Sequence, residues 1–459
     1  MNVLLIVYDN DSHINTFPLG TAYIARALID AGHSVSIYNQ AVYHYSEKHL
    51  TDYLNTHDFG AVGMGTVGGY YQYQKLLKIS EAVNKSERDF VYILGGHGPS
   101  PEPEYFLKKT GADFIVLGEG EETIVELLAR LDSPSEVRGV AFLRGGALVR
   151  TEDRPLIADV DHISYPAWDL FPIEHYVLLQ NRGTTRGDRM LPILSGRGCP
   201  YQCAFCYRME KGFRARSAKS IVDEMRVLKE RYHITAVDFA DELLMSSKGR
   251  VLELCDAFKN SGLGLKWGCS GRLNYATPDV LTAMKDAGCV FINYGIEAMD
   301  DDVLKKMNKC LTVRQIEAGV AATYTAGIQQ GLNIIFGNVG DNQEVINKDV
   351  EFLLRNSTGF ELRTLRPVTP YPGCPLYYKA IEDGKLKGVA DFYENKHTNS
   401  DLLTVNFTNL TDDEFYTALK DANTGLANDY YEKNKAATLR SIDDLYDKKN
   451  AAFRGFRQV

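Results

Sequence analysis

Three of the chain's eight cysteines fall in one short run, Cys199-Pro200-Tyr201-Gln202-Cys203-Ala204-Phe205-Cys206. The spacing is C-x3-C-x2-C. Three thiolates on one loop can hold three irons of a [4Fe–4S] cluster, which leaves the fourth iron open to another molecule. Two plainer readings use the same residues. One is a structural zinc site, although zinc usually takes four protein ligands and no fourth sits close by in sequence. The other is a set of buried free thiols. The lead-in, Leu194-Ser195-Gly196-Arg197-Gly198, reads as a strand end turning into a glycine loop.

What positions such a loop is bounded by composition. A chain of 459 residues suggests two or three domains and is ample for a sizeable core. Hydrophobic residues make up 44% and charged residues 24%, as in ordinary globular proteins. The net charge of −9 gives no general basic footprint, so nucleic acid is not an expected partner. No apolar run is long enough for a membrane span. The sequence opens directly on a strand-like run, Met1 to Tyr8, without a basic region or a cleavage site, so no secretory signal is expected. All cysteines lie after position 198, and Cys255, Cys269, Cys289, Cys310 and Cys374 are scattered. They read as buried thiols rather than a disulfide framework, and a reducing cytoplasm is the expected location.

Residues 1–150 alternate strand and helix patterns. Strands are expected at Val3–Val7, Val35–Tyr38, Ala61–Met64, Val91–Leu94 and Phe114–Leu117, and helices at Leu19–Ala31, Lys48–Asn55, Gln72–Asn84 and Thr123–Leu131. Five strand–loop–helix repeats predict a Rossmann-like, doubly wound parallel sheet that binds its ligand at the carboxyl ends of the strands. Glycines cluster at those ends. No GxGxxG follows the first strand, so NAD is not favoured. Residues 151–188, with Pro166 and Pro172 among mixed aromatics, read as an ordered linker, preceded by a small hairpin around Arg144-Gly145-Gly146.

Alternation restarts across 189–385. Strands are expected at Leu191–Leu194, Ala236–Phe239, Leu265–Cys269, Phe291–Tyr294, Gln330–Phe336 and Glu361–Leu365, with helices such as Ala218–Tyr232, Lys248–Asn260 and Pro278–Ala287 between them. The tail, 386–459, is polar and helical in pattern, with a helix start at Thr411-Asp412-Asp413-Glu414. A capping helix pair is expected there. Tyr430-Tyr431 and the basic end, Lys448-Lys449 to Arg457, would lie over the barrel mouth or meet a partner.

The cysteine spacing resembles the radical S-adenosylmethionine (SAM) superfamily. That resemblance implies a [4Fe–4S] cluster on Cys199, Cys203 and Cys206, whose open iron chelates the amino and carboxylate groups of SAM. It also implies an electron passed to the sulfonium, C–S cleavage and a 5′-deoxyadenosyl radical. The six β/α units resemble the partial (β/α)6 barrel of that superfamily, with chemistry at the strand ends. By the same resemblance Phe205 lies near the adenine of SAM, Arg272 in Ser270-Gly271-Arg272 approaches its carboxylate, and Glu297 in Gly295-Ile296-Glu297 hydrogen-bonds its ribose or amino group. Arg314 is a further candidate. Asp241-Glu242 follow the second strand. Gly337-Asn338-Val339-Gly340 departs from the family's G-x-P-G, so no contact is assigned there. Arg366 to Gly373 resembles its P-Y-P-G element.

The N-terminal segment resembles the cobalamin-binding domain that precedes many radical SAM domains. The matching pieces are Phe17-Pro18-Leu19-Gly20, Leu94-Gly95-Gly96-His97 and Gly118-Glu119-Gly120-Glu121-Glu122-Thr123. With the turn Gly65-Thr66-Val67-Gly68-Gly69, they imply cobalamin contacts from Leu19, Gly20, Thr66, Gly68, Gly69, Gly95, Gly96, His97, Gly118, Glu119, Gly120 and Glu121. Asp11-Ser12-His13 sits where cobalamin domains of the methionine-synthase type carry D-x-H-x-x-G, which implies cobalt ligation by His13. Thr16 replaces the glycine, radical SAM relatives generally lack the motif, and a loop histidine is the competing reading. The Tyr70/Tyr71 loop is an alternative cover for the lower face.

Together these resemblances imply a cobalamin-dependent radical SAM C-methyltransferase acting on a peptide, a protein or a small molecule, with an external electron donor. A cobalamin-using radical SAM enzyme that rearranges or cyclises without methylating is the first rival. A non-catalytic cobalamin or cluster sensor is the second. A methylthiotransferase is disfavoured, because that class needs further cluster cysteines upstream and none precedes Cys199.

Overall fold

The computed structural model describes residues 1–10, 16–179, 183–185, 187–210 and 212–452. His13 and Arg457 lie outside the described residues. The apolar run near the N-terminus forms β1 (Asn2–Val7), whose last five residues are all buried. It pairs in parallel with β2 (Ser34–Asn39) on one side and β3 (Ala61–Gly65) on the other. β4 (Val91–Gly95) and β5 (Phe114–Val116) continue the parallel ladder, and the hairpin β6 (Val140–Arg144) and β7 (Ala147–Arg150) closes the edge antiparallel. The order is β2-β1-β3-β4-β5-β6-β7. Strand order reverses between β1 and β3, the switch point at which doubly wound sheets open a ligand crevice. A helix missing from the sequence reading, Pro103–Thr110, joins β4 to β5, with Pro103 at its first position and Gly111 closing it in the left-handed region.

The second sheet contains β8 (Met190–Ile193), β11 (Ala236–Phe239), β12 (Lys266–Gly271), β13 (Cys289–Glu297), β14 (Gln329–Phe336) and β15 (Arg366–Pro367), all parallel and in sequential order. It is the curled half-barrel expected. Between β8 and β11 a short antiparallel ribbon is inserted, β9 (Gly196–Cys199) with β10 (Gly212–Ala215), and it carries the cysteine loop at its tip. The sixth strand does not form at Glu361–Leu365. That stretch has the two-residue burial alternation of a strand but no ladder partner, and pairing begins only at Arg366.

The linker is ordered by its aromatics. Phe17, which leads into helix Leu19–Asp30, packs on Trp168, Phe171 and Tyr176 at ring separations of 4.5, 4.9 and 5.2 Å. After short helical turns over 389–396, the described part of the tail is one long helix, Asp412–Tyr446, rather than a pair. Thr411 and Glu414 form a capping box at the helix start expected there. Only its first half is buried, through Phe415, Ala418, Leu419, Ala422 and Leu426. Phe415 stacks on Phe336 of β14 at 4.9 Å. Tyr431 and Tyr446 are exposed on the second half of the helix. The preceding segment crosses to the first domain, where Tyr393 stacks on Tyr73 at 4.5 Å. No helix among the described residues is long and apolar enough to cross a membrane.

Candidate active site

Both parallel sheets turn their carboxyl ends toward one cavity of ≈ 570 Å³, within the range of small-molecule and cofactor sites. From the first sheet it takes Leu19, Gly20, Thr66, Gly95, Gly96, His97, Gly118, Glu119, Gly120 and Glu121. From the second it takes Leu194, Gly196, Arg197, Gly198, Ala240, Asp241 and Glu242. Ten of the twelve nominated cobalamin positions are thus brought together. Gly68 and Gly69 are not: Tyr371 and Tyr393 cover Gly68, and Gly69 caps helix Tyr70–Asn84.

The floor of the cavity is a cradle of bare backbone. Gly118 has φ +71°, and a Cβ added there would meet no protein atom within 4 Å. Gly96 has φ +92°, and a Cβ there would stand 2.6 Å from the Thr66 carbonyl. The first position leaves room for a ligand; the second lets β4 turn against the β3 loop. Such open glycine backbone fits a large flat ligand. His97 faces the cavity and meets Tyr207, the residue after Cys206, edge-on at 5.9 Å. The surrounding protein lowers the pKa of its imidazole by desolvation.

Glu119 lines the cavity and also ties its two sides together. Its side chain is almost fully buried and accepts from Arg197 Nη1 at 2.8 Å, from Arg214 at 2.9 and 3.0 Å, and from the Ile157 amide at 2.7 Å. Glu121 pairs with Arg197, and Glu210 with Arg214. Burial alone would raise the pKa of Glu119, but Arg214, Ile157 and Arg197 outweigh it and hold the carboxyl below its usual range. Glu210 moves the other way, raised first by burial and then by the charge of Glu119. The network joins the first sheet, the linker and both strands of the ribbon.

On the cluster side Cys203 is buried, and Cys199 and Cys206 are half-buried. All eight cysteines are free. Burial raises the Cys199 thiol. Cys203 is pushed down, first by its hydrogen bond with Cys206 and against burial, with Lys309 and Arg272 adding to the effect; the same bond pushes Cys206 up. Among the described residues no three His, Cys, Asp or Glu side chains converge on a single-ion site. A mononuclear zinc site is therefore a poor match. A cubane, in which each thiolate takes its own iron, fits the three-thiol loop.

The loop is braced from behind. Asp241, at the end of β11, accepts from the amides of Ser195 and Gly196 at 2.8 Å, and burial still raises its pKa to about 6. The Ala204 amide donates to the Met307 carbonyl at 2.8 Å, and the Leu376 amide donates to the Ala204 carbonyl at 2.9 Å. Arg272 is buried, lies 3.5 Å over the Tyr201 ring and donates to the carbonyls of Lys309 and Cys310. Its Nε is buried without a partner, an orphan that fits an anionic ligand group. Glu297 is buried at φ +73°, where the β13–β14 register shifts, and pairs with Lys309 Nζ at 2.7 Å. Ser270 is half-buried at the end of β12, and Phe205 packs between the two cores.

Two expectations fail here. Arg314 is exposed in the first turn of helix Val313–Thr325 and does not join the buried group. Cys310 is exposed, unlike the other scattered cysteines, because its left-handed backbone (φ 52°) lies in the loop behind the site. Lys309 was missed altogether. In sequence it is one charge in a polar loop, and only the fold brings it to Glu297.

Comparison with known proteins agrees with this geometry. Residues 3–128 match the B12 binding domain and residues 193–353 match the radical SAM superfamily. The chain is 28% identical to an uncharacterised methyltransferase of Pyrococcus horikoshii, over 84% of each chain. It is 26% identical to the anaerobic magnesium-protoporphyrin IX monomethyl ester cyclase of Rubrivivax gelatinosus, over 78% of this chain and 65% of that one. Its fold resembles that of the radical S-adenosylmethionine methyltransferase TsrM of Kitasatospora setae, with a TM-score of 0.67 and 20% identity, covering 83% of this chain and 75% of that one.

Proposed function

The chain belongs to the radical SAM enzymes that carry a B12-binding domain, the cobalamin-dependent methyltransferase family, and from that premise we propose that it uses methylcobalamin to methylate an unactivated carbon of a peptide, protein or small-molecule substrate. The observation that carries this reading is the shared cavity, which runs from the glycine cradle of one sheet to the loop ends beside Cys199 in the other. When bound, the cluster supplies the electron, drawn from an external donor, that cleaves SAM, and cobalamin supplies the methyl group.

The chain's own residues bind, orient and exclude water. Cys199, Cys203 and Cys206 hold the cluster. Arg272 would offer its unpartnered Nε to the SAM carboxylate, Glu297 would accept from the ribose or amino group, and Phe205 and Ser270 would complete the SAM side. Leu19, Gly20, Thr66, Gly95, Gly96, His97, Gly118, Gly120 and Glu121 line the cobalamin side. Glu119 fixes the separation of the two sides through Arg197 and Arg214.

The test is metal content and product counting on anaerobically purified protein. About four iron and one cobalt are expected per chain, with iron lost in Cys203→Ala. Methylation consumes two SAM per product and releases S-adenosylhomocysteine together with 5′-deoxyadenosine. 5′-Deoxyadenosine alone would replace methylation by a non-methylating rearrangement or cyclisation, the second reading, which the similarity to the cyclase favours. Iron without cobalt removes both. Absence of SAM cleavage, with or without candidate substrates, leaves a sensor.

A further inference from the structure

Lys309 sits in the middle of a turn whose two flanking residues, Asn308 and Cys310, hold left-handed φ values of 54° and 52°. Non-glycine residues other than asparagine seldom adopt that region, and two such residues around one position mark a turn set by its contacts. The surroundings here are the cluster loop and the strand ends. The Met307 carbonyl accepts from Ala204, Asn308 Nδ2 donates to the Gln202 carbonyl at 2.8 Å, and Arg272 donates to the carbonyls of Lys309 and Cys310. The turn is therefore held on both sides of Lys309, and the side chain it carries is buried.

The ammonium of Lys309 donates to Glu297 Oε1 at 2.7 Å and stands 5.8 Å from the centroid of the Phe205 ring. The Lys309 and Glu297 side chains are 9% and 10% exposed, so this is an enclosed pair and not a surface bridge. Two enclosed groups of opposite charge hold each other in place, because removing either leaves the other buried without its partner. Glu297 is itself held in a left-handed conformation at the shifted β13–β14 register, so its carboxylate is fixed from the backbone and from Lys309 at once.

We propose that Lys309 is a positioning residue for SAM, acting through Glu297: it holds that carboxylate in place and aimed at the bound ligand. The inference rests on the reading that Glu297 contacts SAM. A pair that only supports the fold would affect folding and iron content instead, which separates the two roles.

The experiment compares wild type, Lys309→Met, Lys309→Arg, Glu297→Gln and the Lys309→Met/Glu297→Gln double variant as anaerobically reconstituted holoproteins. It measures iron content, SAM affinity by equilibrium binding and the change in the electron paramagnetic resonance signal of the reduced cluster on adding SAM. Lys309→Met is expected to keep its iron, to bind SAM roughly 10–100-fold more weakly, as loss of an orienting partner typically does, and to blunt the spectral change. Lys309→Arg, which keeps the charge, recovers part of the affinity. The double variant binds no more weakly than the weaker single variant, because both changes act on one contact. Wild-type affinity in Lys309→Met, additive losses in the double variant, or loss of iron from Lys309→Met would each overturn the assignment. Wild-type protein that holds iron but binds no SAM would instead overturn the function on which it rests.

Discussion

Arg197 donates to Glu119 at 2.8 Å across the junction of the two sheets, and Cys199 lies two residues beyond Arg197 on the same strand. The loop that carries the thiols is thereby tied to the end of β5 in the other domain. Arg214, on the paired strand, makes the tie bidentate. Glu119→Ala removes the shared acceptor and leaves Arg197 with Glu121 and Arg214 with Glu210 alone, which should cost about 1–3 kcal/mol, the usual penalty for losing hydrogen bonds to a charged group. A lowered chemical-denaturation midpoint, with iron lost at a lower denaturant concentration than in wild type, checks this.

Gly118→Ala separates backbone cost from ligand space. Its φ of +71° is unfavourable for alanine by about 1–2 kcal/mol. The added methyl meets no protein atom within 4 Å and occupies the cavity instead. The expected outcome is a modest fall in thermal stability with a much larger fall in cobalamin affinity, read by titrating cobalamin into the variant and into wild type. Equal affinities would remove Gly118 from the cradle.

Asp349 makes stability depend on pH. Its Oδ1 accepts from the Met299 amide at 2.6 Å, while Oδ2 is buried without a partner. Burial first, then Asp341 and Asp300, raises its pKa to about 8 from 3.8. Between those values the folded state binds more protons than the unfolded one, so stability falls as pH rises. Asp349→Asn removes that slope, at most about 1.4 kcal/mol per pH unit. The variant should therefore gain on wild type as denaturation is measured from pH 5 to pH 8.

The strongest features were legible in sequence because their causes are local. The cysteine spacing, the apolar run of β1 and the helix start at Thr411 each sit within a few residues. Features fixed by distant parts of the chain were not. Gly68 reads as one more cradle glycine until Tyr371 and Tyr393 are seen to cover it. Glu361–Leu365 carries a strand's alternation, but a strand also needs a neighbour in register, and the neighbour begins at Arg366. Lys309 acquires its place from the Cys203 loop and from Arg272, which lie far away in sequence.

Phe415→Ala tests whether the long terminal helix is part of the core. The ring is fully buried, stacked on Phe336 and close to Gly337. Truncation should cost about 3–5 kcal/mol. A drop of that size in thermal unfolding, with the far-ultraviolet helix signal retained at low temperature, is the expected result.

The segment around Tyr393 gives the enzyme a schedule as well as a shape. Tyr105 of the first domain donates to Glu394 at 2.8 Å, across 289 residues of chain. At roughly 5–20 residues per second, ribosomal synthesis separates those two partners by about 15–60 s. During that interval the first sheet is already made, but the aromatic wedge that seals its Tyr73 and Phe106 side has not emerged. That side of the first sheet therefore stays uncovered until the segment around Tyr393 has been made.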